Sequence, residues 1–348
     1  MRVWKGPEAM GGFERYKRQI TFDGIGEAGQ AKLSAARVCV VGVGALGTVV
    51  ANSLCRSGVG FIRVIDRDYV EETNLQRQVL FTERDVSEGA PKAIAVAEHL
   101  AGINSTVMVE AVVDDVNASN VERFVSDVDL VLDGVDNFET RFLINEACHK
   151  HGVKWVYGGV VASGGATMNI LQKDDGPCFR CFMPEMPEPG SYPTCNTVGV
   201  VNPITGIIAS YEAAEALKIL TGSGDVSDQY LAVDVWENLS SYIKVNKNPD
   251  CPVCVGKKYE LLDRPAASYA VSLCGHDSWQ IIPEGRDSAD FGALAARLEK
   301  IGEVKLTKFL LRFDGDVSFK LFPDGRAIIE NVKDETGARE VYAEYIGS

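Results

Sequence analysis

The chain has 348 residues, 46% hydrophobic and 24% charged, the proportions of an ordinary globular protein with room for one large domain and a small one. Its formal charge of −14 argues against a general nucleic-acid-binding or anionic-membrane-binding surface, because both carry the same sign. No run approaches a membrane span and "MRVWKGPEAMGGFERYKRQ" lacks the apolar core of a signal peptide, so the sequence reads as cytoplasmic.

Residues 1–12 read as an N-terminal extension, and residues 14–35 as a charged lead-in followed by a short helix. "ARVCVVGVGALGTVVANSLCRSGVGFIRVIDRD" then has the order of a βαβ unit: apolar strand, glycine turn, helix, and a second apolar strand ending in acid. "PKAIAVAEHLAGI" predicts a helix, "STVMVEAVV" a strand, "NASNVERFVSDV" a helix and "DLVLDGVD" a fourth strand. "NFETRFLINEACHKHG" predicts a helix closed by Gly152, and "VKWVYGGVVASGGATMNILQ" further strands. Strands buried on both faces and alternating with helices imply an α/β, Rossmann-like, mostly parallel sheet with flanking helices.

From Asp174 the texture changes. "DDGPCFRCFMPEMPEPGSYPTCNT" predicts a long irregular loop, and "PITGIIASYEAAEALKILTG" a helix too apolar for an exposed face. "QYLAVDVWENLSSYIKVNKNPDCPVC" resumes strand character. Beyond it, residues 256–348 read as a small C-terminal α+β domain, which leaves residues 13–255 as the nucleotide-binding domain.

Gly42, Gly44 and Gly47 stand at G-x-G-x-x-G spacing between strand and helix, where backbone and helix N-terminus can receive a phosphate. A glycine turn serving only strand–helix packing is the alternative. Asp66, about twenty residues on, is placed to bind ribose hydroxyls. Asn74, Gln76 and Arg77 follow in "DRDYVEETNLQRQ", and Lys92 in "GAPKAIA", more cationic and amide groups than a dinucleotide needs. They suit a phosphate chain on which charge develops, the alternative being a solvated turn in which Arg77 pairs with Glu71 or Glu72. Asp136 and Asn137, beyond the fourth strand, lie where ligands bind in such sheets and offer oxygen to Mg²⁺; Asn137 can also cap the next helix.

Nine cysteines in a cytoplasmic chain point to metal ligands, reactive thiols or packing before disulfides. Cys178 with Cys181 and Cys251 with Cys254 form two C-x-x-C knuckles that together can close a tetrahedral Zn²⁺ site, unrelated thiols being the alternative. Cys195 stands alone in the proline-rich loop, either a nucleophile toward an activated acyl group or a thiol without chemistry. Cys39 and Cys55 read as packing residues, and Cys148, in a helix beside His149 and His151, as a buried or surface thiol rather than a metal ligand.

Together "RYKRQI", "GVGALG", "DRDYVEETNLQRQ", "GAPKA", "DGVDNFETR", the two cysteine pairs and "TCNTVGVVNPITG" resemble the MoeB/ThiF/HesA family of ubiquitin-activating-enzyme-like adenylyltransferases over roughly residues 13–255. The resemblance implies ATP- and Mg²⁺-dependent adenylylation of the C-terminal glycine of a ubiquitin-like sulfur carrier similar to ThiS or MoaD, by a homodimer, ahead of sulfur delivery from a donor such as a cysteine desulfurase. It implies that the loop Gly42, Gly44, Ala45 and Gly47 takes the phosphates and Asp66 the ribose. Thr73, Asn74, Leu75, Gln76, Arg77 and Lys92 would complete the phosphate grip, with Asp136 and Asn137 at Mg²⁺. Arg18 would reach the neighbouring subunit's phosphates, and Cys195 matches the loop cysteine that in some members bonds to the carrier.

The C-terminal domain carries no sulfur-transfer loop, since Cys274 is followed by Gly275 and His276, and it reads as a carrier-recognition or dimer-support module. Other acceptors, a small-molecule or tRNA-base carboxylate, remain within the adenylating class. An NAD-dependent oxidoreductase explains the glycines and Asp66 but leaves Arg77, Lys92 and Asp136 without a role.

Overall fold

The structure is a computed structural model that describes residues 12–188, 191, 195–263, 270–272, 278–281, 283, 290–307, 309–323 and 325–347. The N-terminal extension up to residue 11 and Cys274 lie outside the described residues. The chain divides into two compact units, the first Met1–Val86 with Pro91–Arg264 and the second Ser87–Ala90 with Pro265–Ser348.

The first unit opens with α1 (Lys17–Ile20) and α2 (Gly26–Ala35), followed by β1 (Arg37–Val41), α3 (Ala45–Ser57) and β2 (Phe61–Ile65). Next come α4 (Glu83–Glu88), whose last two residues are counted in the second unit, then α5 (Lys92–Ile103), β3 (Met108–Val112), α6 (Val121–Val125), β4 (Leu130–Asp133) and α7 (Phe138–His151). An antiparallel part follows: β5 (Lys154–Val161), β6 (Gly164–Ile170), α8 (Phe179–Phe182), α9 (Cys195–Val198), α10 (Asn202–Thr221), β7 (Gln229–Asp234) and β8 (Leu239–Lys244).

These strands make one eight-stranded sheet of order β3-β2-β1-β4-β5-β6-β7-β8, parallel from β3 to β5 and antiparallel from β5 to β8. Val38–Val41 of β1 and all of β2 and β4 are buried, as a strand covered by helices on both faces requires. Val41 is in register with Ile65 on one side and Asp133 on the other, so three parallel strands end level. The order reverses between β1 and β4, and there the crevice beyond the strand ends receives ligands in folds of this kind.

The proline-rich stretch expected to be a long irregular loop contains two short helices, α8 and α9. In α8, Phe179 is fully buried against Phe142, Trp155 and Tyr157, so aromatic packing imposes a turn of helix. The chain beyond Cys254 also stays with this unit: Glu146 of α7 accepts hydrogen bonds from the Leu261 and Leu262 N–H groups, and Leu261 is buried.

The second unit adds β9 (Ala270–Ser272), β10 (Ser278–Ile281), α11 (Phe291–Leu298), β11 (Glu303–Leu306), β12 (Leu311–Asp314), β13 (Ser318–Leu321), β14 (Ala327–Glu330) and α12 (Glu335–Val341). Its sheet, β11-β12-β13-β14-β10-β9, is antiparallel throughout. Alternate residues such as Phe313, Phe319 and Ile329 point to a core closed by Leu298 and Ala338. Asp290 and Asp334 cap its two helices by accepting backbone N–H groups of their first turns.

Candidate functional site

At the end of β1, Gly42 turns the chain with φ +80°, and a Cβ on it would lie 2.6 Å from Gly134 O. A Cβ on Gly47 would lie 1.9 Å from Gly42 O, so loop and first helical turn approach as only glycine permits. Gly44 is the N-cap of α3 and Ala45 its first residue. The N–H groups of that first turn, which precede the helix's own bond ladder and take no side-chain cap among the described residues, stand at the positive end of a 13-residue helix and suit a phosphate.

Asp66 follows β2 and faces this loop: Oδ2 accepts Val43 N and Oδ1 accepts Asp68 N, each at 2.8 Å. Removal from water pushes its carboxyl up to about 6, against the pull of Lys92 and those two N–H groups. Lys92, 7% exposed at the start of α5, donates to Asp68 Oδ2 at 3.0 Å, while its backbone N–H bonds to Asp68 O. Burial pulls the ammonium down, but Asp68 and Asp66, with a contribution from Asp136, outweigh it and hold Lys92 above its usual range. Lys92 and Asp66 therefore share one electrostatic cluster with Asp136, and Asp68 is a member the sequence reading passes over. Its signal was an acid two residues beyond Asp66.

The "TNLQRQ" residues divide. Asn74 is buried and builds the turn: its Oδ1 accepts Glu71 N at 3.0 Å in a reciprocal cap with Glu71. Leu75 is half-buried, and Thr73 and Gln76 are exposed. Arg77 donates to Thr73 O at 2.9 Å and forms no ion pair among the described residues, so pairing with Glu71 or Glu72 is not found. Arg18 is exposed on α1, also without an ion pair among the described residues. Gln78, another residue the reading missed, is 4% exposed, its Oε1 has no hydrogen-bond partner among the described residues, and its Nε2 lies 3.7 Å from where a Cβ on Gly44 would be.

The turn after β4 carries Asp136, which is exposed, and Asn137, whose Oδ1 accepts Thr140 N at 2.9 Å and so caps α7. Beneath it Asp133, fully buried, binds Arg141 Nε at 3.1 Å. Desolvation pushes Asp133 up to about 6, with Arg141 pulling it back. On α10 Glu212 is fully buried with neither carboxyl oxygen hydrogen-bonded among the described residues, and burial, reinforced by Asp133, raises it well above the carboxylate range. An acid inside the apolar run "GIIASYEAAEAL" was its signal.

The four knuckle cysteines meet although 73 residues separate each partner from the next: Cys178–Cys251 and Cys181–Cys254 sulfurs are 3.5 Å apart, and all four lie within 4.8 Å. Tetrahedral thiolates on zinc at about 2.3 Å stand about 3.8 Å from one another, so the group fits such an ion. Backbone Asn248 N–H donates to Cys181 Sγ at 3.3 Å, one of the causes that lower that thiol's pKa to about 4, the largest being its hydrogen bond with Cys178. Burial pushes Cys39 up to about 12 and Cys55 to about 11, and Cys148 well above its ordinary value, which leaves all three as packing groups. His149 bonds Tyr259 and His151 bonds Glu122, and neither belongs to the four-cysteine group. Cys195 is the first residue of α9, and its side chain lies outside the described residues.

No helix among the described residues is long and apolar enough to cross a membrane. Residues 16–253 match the ThiF family model. The chain is 39% identical over 338 residues to "Sulfur carrier protein ThiS adenylyltransferase" of Bacillus subtilis, covering 96% of this chain and 99% of that protein, so the likeness includes the second unit. It is 39% identical to "Sulfur carrier protein adenylyltransferase" of Thermus thermophilus over 69% of this chain and 90% of that one. Among solved structures, Escherichia coli MccB with ATP superposes with a TM-score of 0.60 at 24% identity, over 69% of this chain and 74% of that one, a likeness of fold. The chain belongs to the ThiF family.

Proposed function

We propose that this chain transfers AMP from ATP to the C-terminal glycine carboxylate of a small ubiquitin-like sulfur-carrier protein and releases pyrophosphate. The observation that carries the reading is the Asp66–Asp68–Lys92–Asp136 cluster at the level strand ends, beside a glycine loop built for phosphate. The near full-length likeness to a relative named as a ThiS adenylyltransferase supports it.

In this reading Gly42, Gly44, Ala45 and Gly47 seat the phosphates and Asp66 accepts the ribose hydroxyls. Lys92 and Arg77 face the phosphate chain, Asn74 holds the turn that presents Arg77, and Gln76 and Thr73 are within that exposed turn. The carrier carboxylate attacks the α-phosphorus, a bond forms to carboxylate oxygen, and pyrophosphate leaves. The protein contributes alignment and positive charge rather than a phosphoenzyme. Magnesium, held by Asp136, would offset phosphate charge. Zinc would be held by Cys178, Cys181, Cys251 and Cys254, a closed site that braces α8 against the segment before residue 255 and leaves no position for substrate.

Further parts of the proposal are a homodimer in which Arg18 serves the partner's nucleotide, Cys195 as acceptor of the activated acyl group, and a sulfur donor such as a cysteine desulfurase. The hairpin β7–β8 offers the carrier an apolar surface, since Trp236 is 74%, Leu239 63% and Tyr242 57% exposed.

The test is ATP–pyrophosphate exchange with a purified ThiS-like carrier. Exchange that requires the carrier's terminal glycine supports the proposal; exchange with free small carboxylates instead, or none with any carrier, overturns it.

A further inference from the structure

The turn bearing Asp136 meets the glycine loop backbone against backbone. Gly134 N bonds Val41 O at 2.7 Å, and a Cβ on Gly134 would lie 2.0 Å from Gly42 O. The distance between phosphate loop and Asp136 is thus set by where residues 134–136 sit. Those residues are a turn rather than regular structure, so no ladder of strand or helix bonds holds them.

Two side chains do, Arg141 and Asp133. Arg141 of α7, 7% exposed, donates from Nη2 to Val135 O at 2.7 Å and to Gly158 O of β5 at 2.9 Å, and from Nε to Asp133 at 3.1 Å. Asp133 Oδ1 in turn accepts Val135 N at 3.0 Å, so both polar groups of the Val135 backbone end on the same ion pair. The guanidinium lies over the rings of Phe138 and Tyr157, 5.7 and 5.2 Å from their centres. Glu212, a second buried acid nearby, is pushed well above the usual carboxylate range by burial, with Asp133 adding to that and Arg141 opposing it.

We infer that Arg141 is a positioning residue for nucleotide transfer: its fork fastens the turn between β4 and α7 to β5, and so holds Asp136 in register with the phosphate loop. A planar guanidinium can bond two carbonyls and a carboxylate in fixed directions, whereas an ammonium presents a point charge without that fork. The inference rests on the proposed role of Asp136 at the magnesium–triphosphate.

The experiment compares Arg141→Lys, Asp136→Asn and the unaltered chain in two readouts: binding of a non-hydrolysable ATP analogue as Mg²⁺ is titrated, and kcat and KM in carrier-dependent exchange. A misplacement of about 1 Å can cost about 100-fold in rate. Folded Arg141→Lys is therefore expected to lose at least about tenfold in kcat. Its Mg²⁺ midpoint for analogue binding should move the same way as in Asp136→Asn. A merely structural arginine would lower the melting temperature and leave that midpoint alone, which overturns the inference. If Arg141→Lys does not fold, Asp133→Asn, which keeps volume and a carbonyl acceptor, takes its place with the same expected direction and the same refuting result. Unaltered behaviour of Asp136→Asn would instead remove the reading of Asp136, and the inference with it.

Discussion

Replacing Lys92 by Met tests the electrostatic cluster at its centre. The ammonium sits 3.0 Å from Asp68 Oδ2 and is among the forces that hold Asp66 down to about 6 against burial and against Asp68. A nearby opposite charge lowers a carboxyl, so removal of Lys92 should raise Asp66 further. Only the ionised carboxylate accepts both ribose hydroxyls. ATP-analogue affinity of the unaltered chain should therefore be full above pH 6 and fall as pH drops through it, while in Lys92→Met the fall should begin at higher pH. Exchange kcat at pH 8 should drop about 100-fold as well, because a cation aimed at developing phosphate charge is gone. Stability has the opposite sign from a salt-bridged carboxylate. A folded pKa raised from 3.8 to about 6 favours the fold below pH 4 and costs stability as pH rises through 6, about 3 kcal/mol at about 1.4 kcal/mol per pH unit. Lys92→Met should steepen that loss. Calorimetric titration of the analogue from pH 5 to 9, with melting curves alongside, reads both effects. An affinity midpoint in Lys92→Met that stays in place or moves to lower pH refutes the coupling of Lys92 to Asp66.

Gln78→Leu should weaken analogue binding several-fold with no loss of melting temperature, since the buried Oε1 has no bond to lose; a lower melting temperature with normal binding would assign Gln78 to packing. Cys251→Ser should lower the melting temperature by about 10 °C or more, as a strong chelator should for the unaltered chain, and the chelator should then add nothing to the variant; metal analysis finding no zinc in the purified chain would end that expectation. Trp236→Ser should raise the KM for carrier at least about threefold and leave KM for ATP and the melting temperature unchanged, because a residue 74% exposed contributes little to the fold. Equal carrier KM in variant and unaltered chain would move the docking surface elsewhere.

What could be read from the sequence was local. The glycine spacing, the acid ending β2, the strand–helix alternation and the two C-x-x-C pairs each impose a constraint within a few residues, and all appear in the fold. What could not be read depends on segments that meet only after folding. Lys92 reaches Asp68 across 24 residues because its own backbone N–H is bonded to Asp68 O, a contact no periodicity announces. Asn74 shows the complementary limit: its type and spacing suit a phosphate ligand and a turn cap equally, and its Oδ1 is spent on Glu71 N. Arg141 and Glu212 were open to a different reading altogether. Ionisable groups inside helices whose other inward residues are apolar must either find partners or give up their charge. Arg141 took the first course with Asp133 and two carbonyls, while Glu212, buried without such partners among the described residues, is pushed well above the usual carboxylate range.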